Sequence, residues 1–367
     1  MKIRDEILED LLLLDSDDSI LSNKACSPLS FLIFLDIIAC YCNSDLEEKI
    51  NAILKDFDYS REVFLEVIQN LKSTETKLNY AASFWHNEIF NPQNIKFPYF
   101  EIFEVDFTSK KSLQLVNSWI KQKTNKLIKN IPPPDSITQI NSIFLSTLYF
   151  KSLWINKFDS PSYPEVFYLA NGQKINVGYL SKQSKEPISF FQEKSFQAIA
   201  LPYKENNIQL EVYLPNKEVS FEHFISKLGN LNLIRVNSKF KKISNYLLSI
   251  PKFEVSSTID LNPILEKNGL SDLFEFKRES YFDRKSIIKQ EIVAKVNEKG
   301  TEAAAITHLM DIGNLPIFEV EFIANRPFLF LIRENNSNAI LFLGAITNPK
   351  EFKATDNLWK KIKRFFR

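Results

Sequence analysis

Glycine is scarce in this chain, seven in 367 residues, and no cluster of them could cradle a phosphate. Nucleotide-binding loops need closely spaced glycines so that backbone N–H groups can reach the anion, so nucleotide chemistry is not expected. Histidine is scarcer still. His86, His223 and His308 are scattered, and none has a partner at metal-ligand spacing, so each reads as a surface or satisfied core residue and no metal or cofactor site is expected. There is no Gly-x-Ser-x-Gly elbow and no metalloprotease helix motif, so the chain does not read as an enzyme. The three cysteines, Cys26, Cys40 and Cys42, fall in one stretch read as helical and make no disulfide framework, which suits a reducing compartment. The longest apolar run, residues 31–42, is interrupted by Asp36 and is too short to span a bilayer. A net charge of +1 offers no electrostatic footprint for nucleic acid. The N-terminal MKIRDEILEDLLLLDSDD mixes acids with its leucines, which predicts an amphipathic helix and not a signal peptide. The expectation is an intracellular, cytoplasmic monomer.

What the chain does have is apolar mass: 44% apolar residues, with 32 phenylalanines to fill a large core. No repeat or flexible linker divides residues 1–350, which predicts one domain, with 351–367 as an extension. Pro132-Pro133-Pro134 is the one strong interruption. Periodicity predicts helices over residues 3–14, 28–42, 45–54, 61–71 and 114–129, with short helical pieces at 221–228 and 263–268. Strands are predicted over 143–154, 188–191, 198–202, 209–214, 246–253, 290–296, 318–322, 328–332 and 339–346. The last two flank the turn-rich Glu334-Asn335-Asn336-Ser337-Asn338 and should form a hairpin. Helices segregated from antiparallel strands indicate an α+β fold.

One stretch resists assignment. Val296-Asn297-Glu298-Lys299-Gly300-Thr301-Glu302-Ala303-Ala304-Ala305-Ile306-Thr307 begins as a strand, breaks at glycine and continues with small residues before a second apolar block at Phe318. Nothing in it prevents an exposed loop from becoming a buried strand. Side chains alternate faces along a strand. If Thr301 faces inward, so do Ala303, Ala305, Thr307 and Leu309, which are small or apolar, while Glu302 and His308 take the outer face. Asp311 would also face inward, where a buried carboxylate is costly and would slow the last stage of any insertion.

Several landmarks in order resemble the serpin family. Asn23-Lys24-Ala25-Cys26-Ser27-Pro28-Leu29-Ser30 resembles the run into that family's central buried helix, and Val116-Asn117-Ser118-Trp119-Ile120 the helix that crosses its main sheet. Leu148-Tyr149-Phe150-Lys151-Ser152-Leu153-Trp154 resembles a central strand ending at the tryptophan where the sheet opens. Leu201-Pro202-Tyr203, Ile250-Pro251-Lys252-Phe253, residues 322–328 and residues 344–349 follow in order, and residues 298–307 resemble the reactive-loop hinge.

The resemblance implies a serpin fold, helices packed on three mainly antiparallel sheets with an exposed reactive-centre loop at about 300–318. It also implies a suicide protease inhibitor, whose cut loop inserts into the main sheet while the protease is held as an acyl-enzyme. Counted as in the family, the bond at risk lies between Asn314 and Leu315, with Gly313 a neighbour in contention. No Lys or Arg occurs from Ile306 through Glu321, so the target is expected to be a serine or cysteine protease that is not trypsin-like. An asparaginyl-type cysteine protease fits, and Asp311 as bait for an aspartate-specific one is a minority reading. A non-inhibitory member acting as a binding module is the alternative.

Two departures from the family pattern stand out. The hydrogen-bonded Asn and His usual beneath the main sheet are replaced by Ser146 and Gln290, with Ser27 and Ser30 retained nearby. Gln donates and accepts as His does but does not titrate, so sheet opening is expected to respond less to pH near neutrality. The helical region between Asp56 and Leu78 is short, which leaves no basis for heparin-type activation there. Beyond Pro349, Leu358, Trp359, Ile362, Phe365 and Phe366 share one side of a helix, with Lys360, Lys361, Lys363, Arg364 and Arg367 around the rest. That pattern suits an anionic membrane surface or another polyanion.

Overall fold

The computed structural model describes residues 3–13, 22–40, 42–70, 76–87, 97–124, 141–158, 164–204, 207–227, 239–274, 286–297 and 317–352. Along the chain run α1 (Ile3–Leu13), β1 (Lys24–Cys26), α2 (Pro28–Ala39), α3 (Ser44–Asp56), α4 (Arg61–Asn70), β2 (Lys77–His86), β3 (Phe100–Glu104), α5 (Lys110–Lys123) and β4 (Ser142–Lys151). Strands β5 (Pro164–Tyr168), β6 (Lys174–Ser184), β7 (Ile188–Gln192), β8 (Phe196–Pro202) and β9 (Ile208–Pro215) precede α6 (Phe221–Ile225). Then come β10 (Lys241–Ile243), β11 (Tyr246–Pro251), β12 (Phe253–Asp260), α7 (Asn262–Leu265), β13 (Ser286–Val296), β14 (Val320–Ile323), β15 (Phe328–Glu334) and β16 (Ile340–Ile346).

The strands form three sheets: a seven-stranded one ordered β1-β16-β15-β9-β8-β7-β10, a four-stranded one ordered β14-β11-β6-β5, and a five-stranded one ordered β12-β13-β4-β2-β3. Most pairs are antiparallel; β11 with β14, β13 with β4 and β2 with β3 are parallel. The expected hairpin is present, with Phe328 opposite Ile346. Gly344 is required there, because a Cβ would lie 2.6 Å from the Lys24 carbonyl oxygen and closer still to the Phe330 ring.

Helix α2 lies at the centre. Ser27 caps it, its hydroxyl accepting from the Ser30 N–H, and Pro28 starts the first turn, where a missing N–H costs nothing. Every residue from Pro28 to Ile38 is buried. Its one charge, Asp36, is held by Arg61 through two bonds of 2.7 and 2.6 Å and by the Tyr59 hydroxyl at 3.1 Å, which makes an acid tolerable in that position. The seven-stranded sheet contains a second satisfied pair, fully buried: Arg333 on β15 binds both carboxylate oxygens of Glu211 on β9, at 2.6 and 3.1 Å.

Some expectations change. Residues 246–253 do not form one strand: the chain breaks at Lys252, leaving β11 in the four-stranded sheet and starting β12 in the five-stranded one. Strand β2, inside the third of the chain read as mainly helical, and β6 were not foreseen. Helix α5 begins earlier than residue 114, at Lys110, because Ser109 caps it. Helix α2 stops at Ala39, so Cys42 lies past its end and only Cys40 caps it.

Candidate functional site

The five-stranded sheet contains the candidate site. Strands β13 and β4 run parallel and pair directly from Ser286 opposite Ser142 to Val293 opposite Tyr149. At the lower end the buried Ser142 hydroxyl donates to that of Ser286 at 2.8 Å. Above Val293 and Tyr149 the two strands part, while each keeps its outer partner. Ala294 to Val296 stay paired with β12, and Phe150 and Lys151 with β2. The result is a fork that opens towards the end of β13.

Trp154 closes the mouth of the fork. Its indole N–H donates to the Asn297 carbonyl at 2.7 Å. The ring is fixed by stacking on Tyr203, with centroids 4.3 Å apart and planes 10° from parallel, and by the edge of Phe158. Asn297 is the last described residue before the hinge. The hinge at 298–307, the bond between Asn314 and Leu315, and the tail residues from Trp359 to Phe366 lie outside the described residues.

Beneath the sheet, on the side facing α2, Gln290 grips the backbone at the helix start. Its Oε1 accepts the Ser27 N–H at 2.6 Å, and its Nε2 donates to the Ser27 carbonyl at 2.8 Å. The amide thereby pairs the buried Ser27 N–H and adds a second donor to the Ser27 carbonyl, which also accepts the Phe31 N–H at 3.1 Å; no apolar residue could do this. Ser146 is the register partner of Gln290 on β4, yet no hydrogen bond joins them. The buried hydroxyls of Ser146 and Ser30 have no partner among the described residues. Of the four residues singled out from the sequence, Gln290 and Ser27 are bonded to each other, whereas Ser146 and Ser30 sit nearby with their hydroxyls unspent.

The opposite face is covered by α5, whose Val116, Trp119 and Ile120 pack on Ala81, Trp85, Ile143, Leu145 and Val293. Glu101 on β3 pins the helix, accepting from the Trp119 indole at 2.6 Å and pairing with Lys123 at 2.9 Å. Glu291 shares this face with Val293. It is buried, its Oε2 accepts from the Thr258 hydroxyl at 2.9 Å, and its Oε1 has no partner among the described residues. Burial pushes its carboxyl up to about 7; the Thr258 bond and the nearby Lys289 counteract only part of that.

Sequence reasoning passed over Glu291. The available signal was an acid inside an otherwise apolar strand, Gln290-Glu291-Ile292-Val293-Ala294. The non-titrating Gln290 therefore has a titrating neighbour, which amends the expected indifference to pH. Because the folded-state pKa lies above the ordinary value of 4.5, the carboxyl costs nothing at low pH, where both states are protonated. As pH rises from 4.5 to 7 the unfolded chain loses its proton first, and stability falls by about 3 kcal/mol. Glu291→Gln is expected to flatten this slope and to raise the melting temperature at pH 8 by several degrees. Melting curves of the two proteins that stay parallel from pH 4.5 to 8 would refute the assignment.

A matching family model decides the relationship: the serpin (serine protease inhibitor) family matches residues 13–349. This chain is a serpin. It is 29% identical to serpin-Z10 of Arabidopsis thaliana over 363 residues, covering 90% of this chain and 92% of that one. It is 25% identical to a probable non-inhibitory serpin-Z5 of the same plant over 358 residues, covering 89% and 79%. In solved structures it resembles Manduca sexta serpin-12, with a TM-score of 0.79, 22% identity and coverage of 95% and 99%, a likeness that concerns the fold. Serpins are generally protease inhibitors and not enzymes. Among the described residues of this serpin, no group of three or more His, Cys, Asp or Glu could hold a metal, and no helix is long and apolar enough to cross a membrane.

Proposed function

We propose that this serpin inhibits proteases by inserting its cleaved loop into the five-stranded sheet. The observation that carries the reading is the parallel ladder between β13 and β4, forked at its top beside Asn297. Parallel neighbours bring a geometric consequence. A strand that follows β13 and turns back at the hinge runs antiparallel to β13, and therefore antiparallel to β4 as well. Insertion exchanges one parallel interface for two antiparallel ones, which are slightly more stable per residue. The small inward residues Thr301, Ala303 and Ala305 offer no obstruction, and the buried hydroxyls left unpaired in the closed sheet lower the cost of leaving that state.

The bait bond joins Asn314 to Leu315, and the target is a serine or cysteine protease that accepts Asn or a small apolar residue, not a trypsin-like one. The inhibitor acts as an intracellular monomer. The test is incubation with a panel of such proteases, followed by denaturing electrophoresis. A denaturant-resistant band at the summed mass of protease and inhibitor is expected, with cleavage mapped to the bond after Asn314. Cleavage by every protease with no covalent band would instead favour a non-inhibitory binding module, the role that the name of the serpin-Z5 relative brings forward.

A further inference from the structure

The segment after residue 349 lies beyond the family match and carries a charge pattern of its own. Residues 353–367 contain six cations and one acid, Asp356, so that within a whole-chain charge of +1 the rest of the protein is net −4. At about 100° per residue, Leu358, Trp359, Ile362, Phe365 and Phe366 would fall within an arc of roughly 120°, with Thr355 inside it and Ala354 just beyond its edge. Lys353, Lys360, Lys361, Lys363, Arg364 and Arg367 all fall on the complementary arc. Two phenylalanines and a tryptophan on one face, with no acid among them, match an interfacial lipid-binding helix better than a purely electrostatic ligand for a polyanion.

The structure shows where this segment leaves the body. Glu351 bridges to Val177, and the Phe352 N–H donates to the Asn176 carbonyl at 2.7 Å, both on β6. Asn176 is also the register partner of Val166 on β5, and Lys174 that of Tyr168. Val166 and Tyr168 are exposed apolar residues of an edge strand, and the Lys174 ammonium lies over the Tyr168 ring. The rim from which the segment departs therefore already carries exposed apolar groups flanked by a cation.

The opposite end of the same sheet receives the chain returning from the reactive loop. Val320 on β14 pairs with Tyr246 on β11, which pairs with Ser184 on β6. From Ser184 to Val177 is about 23 Å along the strand.

We propose that residues 353–367 dock this serpin on an anionic lipid surface, with the rim at Val166, Tyr168 and Phe352 towards the lipid and the reactive-loop end directed away from it. The acidic body is repelled by such a surface, so the attachment is confined to the segment and its rim. This inference does not depend on the loop being inhibitory.

The test is flotation of the full chain with vesicles of phosphatidylcholine alone or with about one-third phosphatidylserine. Binding at least tenfold stronger to the anionic vesicles is expected. Ending the chain at residue 352 should abolish it while leaving the thermal melt unchanged. Lys360→Gln, Lys361→Gln and Lys363→Gln together should weaken it by about fivefold per cation. Trp359→Ser, Ile362→Ser and Phe366→Ser together should weaken it at least tenfold. Undiminished binding after truncation, or equal binding to both vesicle types, overturns the proposal. Full retention by the serine variant, with equal affinity for a soluble polyanion, overturns it in favour of a purely electrostatic partner. Cleavage of the reactive loop by an added protease should proceed at the same rate on vesicles as in solution; protection on vesicles overturns the orientation.

Discussion

Cleavage of the chain between Ile312 and Pro316 is expected to raise its melting temperature by about ten to twenty degrees. The proposed incoming strand adds on the order of a dozen backbone pairs between β13 and β4, at roughly 1 kcal/mol each, so the gain is about 10 kcal/mol before apolar burial. That is comparable to the whole stability of an ordinary domain. The corresponding control is Ala303→Arg. A guanidinium on the inward face of a strand covered by the core meets a desolvation cost that the new backbone bonds do not recover. This variant should be cut normally, show little or no rise in melting temperature, and yield at least tenfold less covalent complex, because hydrolysis of the acyl bond then outruns insertion. Differential scanning calorimetry before and after nicking, with gel quantification of the complex, provides both readings. An unchanged melting temperature in the nicked wild type would end the insertion account.

Gln290→Leu is expected to destabilise the closed sheet by about 1–3 kcal/mol. The residue makes two hydrogen bonds to the backbone of Ser27, accepting from its N–H and donating to its carbonyl. Leucine fills the space but leaves the Ser27 N–H buried and unpaired, at about 1–3 kcal/mol, while the Ser27 carbonyl keeps the Phe31 N–H of the helix. The effect should be kinetic as well as thermodynamic. Gln290 sits on β13 within the ladder that must open, so the uncleaved variant should lose inhibitory capacity on storage faster than the wild type. Ser146→Ala is the informative contrast. The Ser146 hydroxyl has no partner among the described residues, so its removal should leave stability unchanged or raise it by about 1 kcal/mol. A loss from Ser146→Ala equal to that from Gln290→Leu would mean that the clasp is shared between the two strands and not centred on Ser27. Chemical denaturation and timed activity assays separate these outcomes.

How much was legible in advance depended on how local the signal was. The buried helix α2 could be read because Ser27, Pro28 and an apolar run broken only by Ser30 and Asp36 stand together, and the hairpin of β15 and β16 because its turn residues sit between two apolar strands. Strand β2 was missed although Lys77, Asn79 and Ser83 alternate with Leu78, Tyr80 and Phe84, because the partner that fixes it as a strand, β4, lies far along the chain. The break at Lys252 was missed for a related reason. Phe253 continues the apolar pattern, and only the pairing of β11 with β6 and of β12 with β13 divides the segment between two sheets. Glu291 looked like an ordinary strand acid, because a carboxyl pKa depends on what covers it.

The sequence by itself determined the scarcity of glycine and histidine, the run of small residues after Gly300, and the alternation of apolar and basic residues over 353–367. These are properties of residue type and short-range spacing. Tertiary structure alone decided where the sheet forks, which peptide Gln290 clasps, and that Glu291 is deprived of water beneath α5. These rest on meetings of distant segments, Ser142 with Ser286 across 144 residues and Gln290 with Ser27 across 263, and no local pattern specifies such pairings. Burial and register arise only when distant strands meet, and they turn an ordinary glutamine into a clasp on Ser27 and an ordinary glutamate into a buried acid.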